Sequence, residues 1–192
     1  MTWAGFVLVG GASSRMGQDK ALLPFRGTPL LQHVAAIVAA AAGSVTLVGD
    51  PQKYAAFGYP VIPDPVAGAG PLAGICAALS AGLADWNLIV ACDMPAISAA
   101  FLRELLGAAE TSAALCLLPA GPSGSIEPLC AAYHRAALPG LRRALDQGIR
   151  KLRDALSHIP VETRQLSVGQ YFTNCNTPQD WSAFLAAGSP VE

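Results

Sequence analysis

The strongest constraint on the fold is an alternation. Through the first two thirds of the chain, short apolar runs stopped by Gly, Asp or Pro alternate with longer amphipathic stretches. Residues 3–9 form a near-continuous apolar run, as expected of a strand buried on both faces. Thr28-Pro29 offers an N-cap and an N1 proline for a helix over 29–42, with Leu30, Val34, Ile37, Val38 and Ala41 on its apolar face and Gly43 as its stop. Strands are expected at 44–48, 61–63 and 87–92, with a short helix carrying Tyr54 and Phe57 and a longer one running from a Gly-rich loop at 68–74 to Gly82. A helix over 98–109, strands at 113–118 and 128–133, and two helices split by Gly148 follow. Residues 161–166 alternate like an edge strand, and Thr177, Pro178 and Asp180 open a last helix as cap, N1 and N3. Strands alternating with helices build a mostly parallel sheet covered on both faces, and such sheets bind ligands beyond the carboxyl ends of their strands.

A chain of 192 residues suits a single domain, residues 1–192, and 53% hydrophobic content allows a full core. The net charge of −1 carries none of the basic excess of a nucleic-acid binder, so any phosphate affinity must be local. The uncharged stretches at 34–49 and 65–84 are Ala-rich and interrupted by Gly, Ser, Thr or Pro, and read as core elements, not membrane spans. Cys76, Cys92, Cys116, Cys130 and Cys175 lack a Cys-x-x-Cys spacing and sit mostly in apolar runs. Reduced buried thiols in a cytoplasmic protein are the expectation.

Three places at strand ends carry the chemistry. The first is Leu8-Val-Gly-Gly-Ala-Ser-Ser-Arg-Met-Gly-Gln-Asp-Lys20, which leaves the first strand. Its glycines allow close approach, its amides make an anion nest, and Arg15 and Lys20 add cationic donors, which suits a nucleoside triphosphate. A P-loop is excluded because Gly17 is followed by Gln18 and Lys20 by Ala21; the spacing of Gly10, Gly11 and Gly17 excludes the dinucleotide fingerprint. The other two places are Asp64 in Pro63-Asp64-Pro65 and Asp93, which ends the apolar run 88–92. Either aspartate could cap a turn; Asp93 could equally hold Mg²⁺, a hard cation that takes carboxylate and triphosphate oxygens.

The loop through Lys20 resembles the signature of the nucleotidyltransferases acting on molybdenum cofactor, and in particular the guanylyltransferases. The likeness continues in Gly70-Pro-Leu-Ala-Gly74, Cys92-Asp-Met-Pro95 and Asn174-Cys-Asn-Thr-Pro178, and so spans nearly the whole chain. One departure is Val9, where the family usually has Ala at a contact made by backbone. The resemblance implies a Rossmann-like, GT-A-like nucleotidyltransferase fold. It also implies an Mg²⁺-dependent transfer of GMP from GTP to the terminal phosphate of molybdopterin. Leu8, Val9, Gly10, Gly11, Lys20, Asp64 and Asp93 would bind the nucleotide, Lys20, Arg15 and Asp93 would serve catalysis, and Asp93 would hold the metal. Asn174 and Asn176 would meet the acceptor, and proteins that mature molybdoenzymes would be partners.

Gly70-Pro-Leu-Ala-Gly74, together with Asp19 before the lysine, favours GTP by this analogy; cytidylyl relatives tend to a Ser-rich stretch and often lack that aspartate. A cytidylyltransferase on the same acceptor and a non-catalytic delivery protein stand as alternatives. Glu127, Arg150 and Lys151 match weaker motifs near the acceptor side, and His33, His134 and His158 receive no role.

Overall fold

The computed structural model describes residues 3–10, 19–64, 70–121, 124–166, 175 and 177–186. A seven-stranded sheet forms the centre. Its first strand, β1 (Trp3–Leu8), pairs in parallel with β4 (Thr46–Val48) on one side and β6 (Trp86–Ala91) on the other. Beyond β4 lies β5 (Val61–Ile62), also parallel. Beyond β6 the sheet changes sense. There β8 (Cys130–His134) is antiparallel to both β6 and β7 (Cys116–Ala120), and β9 (Val161–Gln165) closes the edge parallel to β7. The order is β5-β4-β1-β6-β8-β7-β9. A separate two-stranded hairpin joins β2 (Pro24–Phe25) to β3 (Thr28–Pro29).

Side-chain alternation along β1 divides the core into two layers. Val7 and Val9 pack with α1 (Leu30–Ala42) and α4 (Ala99–Glu110) on one face. Ala4 and Phe6 pack with α3 (Pro71–Ser80), α5 (Leu138–Asp146) and α6 (Leu152–Ala155) on the other. The chain therefore leaves β1 toward β4 over one face and returns from β5 to β6 over the opposite face. That reversal places a topological switch point, and hence a crevice, at the carboxyl ends of β1 and β6.

The expectation that Thr28 caps α1 is not met. The residue preceding the helix is Pro29, without a side-chain cap, and the Thr28 hydroxyl donates to the Phe25 carbonyl at 3.4 Å. Tertiary pairing is the reason: Thr28 and Pro29 fold back on Pro24 and Phe25 across an Arg26-Gly27 turn with φ of 49° and 83°, the twist two-residue hairpins prefer. The helix expected over 149–157 is reduced to α6 and a 3₁₀ turn, Leu156–His158. The strand expected at 113–118 is shifted to Cys116–Ala120.

The remaining expectations correspond closely to observed elements. Gly43 ends α1 in the left-handed conformation, its amide bonded to the Ala39 carbonyl. Ser98 caps α4 by accepting from the Phe101 amide at 3.2 Å. Thr177 and Asp180 form a reciprocal capping box before α7 (Pro178–Ala186). All five cysteines are buried and free. Among the described residues, no helix is long and apolar enough to cross a membrane.

Candidate active site

The first strand delivers its end directly into the crevice. Val9 donates its amide to the Val48 carbonyl at 2.9 Å, and the Leu8 carbonyl accepts from the Cys92 amide at 3.2 Å. Leu8, Val9 and Cys92 are thereby locked side by side. Gly10 follows with φ of 87°, a conformation that disfavours any Cβ. Gly11 and Arg15 lie outside the described residues. Asp19 caps a 3₁₀ turn, Lys20–Leu22, by accepting the Ala21 amide at 3.0 Å.

The turn holds Lys20 against the end of β6. Its ammonium lies 3.5 Å from the Asp93 carboxylate, both side chains being about four-fifths buried (17% and 22% exposed). Lys20 and Asp93 are far apart in sequence, and the parallel pairing of β1 with β6 is what joins them. Asp93 is fixed from behind: Met94 is fully buried, and the Asp93 carbonyl accepts from the Cys175 amide at 3.2 Å. Burial, and after it the negative charges of Asp93 and Asp19, push the Cys92 thiol pKa well up, so it stays a neutral packing group. Cys175 is raised to about 11, again chiefly by burial.

A second group of side chains surrounds Asp19. The Tyr54 hydroxyl donates to Asp19 Oδ2 at 2.7 Å, and the Lys53 ammonium pairs with the same oxygen at 2.5 Å. Burial works against the Asp19 carboxylate, but the bonds from Lys53, Tyr54 and the Ala21 amide and the charge of Lys53 outweigh it, so its pKa is lowered. Tyr54, itself buried, is pushed far up by burial and by its bond to Asp19 and stays a hydrogen-bond donor. Sequence reasoning missed this cluster as a site. Asp19 carried a local signal, standing at a cap position before Lys20; nothing in sequence tied it to Lys53 and Tyr54 on α2 (Pro51–Tyr54).

Asp64 follows β5, which stands three strand positions from β6 in the sheet order. Gly70 precedes α3, and the Arg150 carbonyl oxygen lies 3.7 Å from where its Cβ would stand. Arg150 donates to the Leu145 carbonyl at 2.9 Å, Lys151 leads into α6, and Glu127 accepts from the Leu129 amide at 3.1 Å. Asn174 and Asn176 lie outside the described residues.

A further contact supports the pair from one side. The His33 Nε2 lies 3.2 Å from the Pro95 carbonyl oxygen, and its ring stands edge-on to Phe25 at 4.6 Å. Trp181 and Phe184 of α7 meet Phe25 at 5.7 and 5.8 Å. Phe25 belongs to the hairpin that follows Lys20, so the last helix packs on the element leading from that residue.

The donors suit a divalent ion that shares its shell with a ligand. Among the described residues, no three His, Cys, Asp or Glu side chains gather in a metal-binding group. One carboxylate at an open strand end is nevertheless compatible with Mg²⁺, which commonly takes one or two carboxylates plus phosphate oxygens and waters. Calcium or structural zinc would require a fuller protein shell.

A switch-point crevice bordered by a Gly-rich strand end and a Lys–Asp pair defines a nucleotide-binding α/β protein. The comparisons with known proteins agree and are more specific. The model of the MobA-like NTP transferase domain matches residues 5–161, and the chain belongs to that family of nucleotidyltransferases. A Nostoc protein named probable molybdenum cofactor guanylyltransferase is 38% identical over 180 residues, covering 91% of this chain and 86% of its own length. A Synechococcus elongatus protein of the same name is 37% identical, covering 95% and 98%. The crystal structure of molybdopterin-guanine dinucleotide biosynthesis protein A from Archaeoglobus fulgidus superposes with a TM-score of 0.81 at 28% identity, covering 94% and 95%. A CMP:2-keto-3-deoxy-manno-octonic acid synthetase structure, at 17% identity and a TM-score of 0.76 over 97% and 98%, shares the fold alone.

Proposed function

We propose that this chain transfers GMP from GTP to the terminal phosphate of molybdopterin, forming the guanine dinucleotide and releasing pyrophosphate. The observation that carries the reading is the Lys20–Asp93 pair at the carboxyl ends of β1 and β6. Family membership and the names of the relatives supply the nucleotide and the acceptor.

The acceptor phosphate is already an anionic nucleophile, so no general base is required. Its oxygen attacks the α-phosphorus as the bond from that phosphorus to the bridging oxygen breaks, and the electron pair leaves with pyrophosphate. The protein's task is positioning and charge neutralisation. Leu8, Val9 and Gly10, with Gly11, would present backbone to the nucleotide. Lys20 would lie against the triphosphate oxygens and neutralise charge building on the leaving pyrophosphate. Arg15 would add a second cation. Asp64, further along the same edge, would contact the nucleoside end, and Asn174 and Asn176 would contact the acceptor. Asp93 would hold Mg²⁺, which when bound supplies further neutralisation of the triphosphate.

The test begins with calorimetric titration of GTP, CTP and ATP, each with and without Mg²⁺, followed by turnover with molybdopterin. Preferential binding of GTP, GTP-dependent pyrophosphate release, and loss of turnover in Asp93→Asn are expected. Undiminished turnover in Asp93→Asn would refute the role of that carboxylate. A preference for CTP would move the product to the cytosine dinucleotide. Nucleotide binding without turnover in the presence of acceptor would favour a delivery protein.

A further inference from the structure

Two lysines and two aspartates meet around the crevice, and the pairing between them is selective. Lys20 pairs with Asp93 at 3.5 Å, and Lys53 with Asp19 at 2.5 Å. Yet Asp19 is the direct neighbour of Lys20 in sequence. Asp19 caps the turn that Lys20 opens, and Lys20 reaches Asp93, so all three groups share one region. In a partly buried site a carboxylate attracts any cation within reach, so the alternative pairing, Lys20 with Asp19, must be suppressed.

We propose that Lys53 is a positioning residue that occupies Asp19 and so leaves Lys20 directed to Asp93 and the substrate triphosphate. The proposal rests on the nucleotidyl-transfer reading above. Each oxygen of Asp19 is engaged: Oδ1 accepts the Ala21 amide, and Oδ2 accepts the Tyr54 hydroxyl and pairs with Lys53. The Asp19 side chain is nearly nine-tenths buried, whereas Lys53 is 43% exposed and approaches from solvent. The Lys53 ammonium also lies 5.4 Å from the centre of the Tyr54 ring, which adds a cation–π contact. Tyr54 in turn packs within 3.5 Å of where a Gly10 Cβ would stand, so the same residue borders Gly10 and Asp19.

Removing the Lys53 charge while keeping its stem leaves Asp19 with a buried, under-compensated carboxylate beside Lys20. Lys20 is then drawn from Asp93, and the triphosphate loses its cation. Lys53→Met should lower kcat/KM about tenfold, the scale of one charge-assisted bond. Lys53→Arg should restore it. The decisive variant is Asp19→Asn combined with Lys53→Met: asparagine still caps the Ala21 amide but carries no charge to compete for Lys20. The double variant should recover most of the activity lost in Lys53→Met. A double variant as impaired as Lys53→Met, or an unimpaired Lys53→Met, would overturn the proposal.

Selective ¹⁵N NMR of the lysine ammonium groups separates this proposal from the reaction itself. The Lys20 resonance, assigned by its absence in Lys20→Ala, should move in Lys53→Met and return in the double variant, with no nucleotide present. An unmoved resonance would refute the competition, even in a fully active enzyme. A resonance that moves and returns supports it, even if the chain fails to use GTP.

Discussion

Replacing Lys20 with methionine keeps the length and apolar stem of the side chain and removes its charge. At 3.5 Å, with an effective dielectric constant of about 20, unit charges attract by about 4–5 kcal/mol. In the resting protein, desolvation offsets much of that attraction, but the substitution leaves the Asp93 carboxylate under-compensated, so stability should fall by about 2 kcal/mol, below the cost for a fully buried pair because both groups keep some exposure. The balance differs in the reaction. As the bridging bond of the nucleotide breaks, negative charge builds where Lys20 points, and a preorganised donor at such a position contributes about 3–4 kcal/mol. Lys20→Met should therefore lower kcat about 10²- to 10³-fold while thermal unfolding shifts by a few degrees. Steady-state pyrophosphate release with acceptor, read beside a calorimetric melt, measures both. A kcat within threefold of the parent at unchanged melting would refute the electrostatic role of Lys20. A collapse of melting with proportionate loss of folded protein would make it structural instead.

Gly49→Ala should destabilise by about 2 kcal/mol in denaturant titration, since its Cβ would stand 2.6 Å from the Val9 carbonyl oxygen and 2.8 Å from Val9 Cγ2, and should weaken nucleotide binding through the same strand end. Trp181→Ala should cost about 3 kcal/mol and reduce turnover, because it strips one ring from Phe25 in the hairpin that follows Lys20. Burial, followed by the charge of Arg26, lowers the His33 pKa, although its contact with the Pro95 carbonyl acts the other way. Below the unfolded value near 6.5 the unfolded chain takes up a proton that the folded chain resists, so stability falls as pH drops from about 7 toward 5. Melting temperatures over that range should slope less in His33→Gln; an identical slope would remove His33 from the account.

Much of the fold is legible in the amino-acid sequence, and the reason is local. The run 3–9 suits only a doubly buried strand, and Gly43, Ser98 and Thr177 mark helix ends through capping chemistry that depends on near neighbours. The signature through Lys20 and the Asp-Met-Pro turn at Asp93 are visible for the same reason, each a short segment whose composition states its chemistry. Where tertiary pairing competes with a local signal, the signal loses: Thr28 looks like a cap and becomes a hairpin strand, because pairing with Phe25 offers its backbone a better partner. Only the folded chain decides which strands adjoin. The antiparallel return of β8 beside β6 depends on long-range packing, and so does the placement of Asp64 some three strands from Asp93. The same holds for the partition of charges, Lys53 to Asp19 and Lys20 to Asp93, because an ion pair is set by distance in space and by burial, neither of which a linear sequence contains.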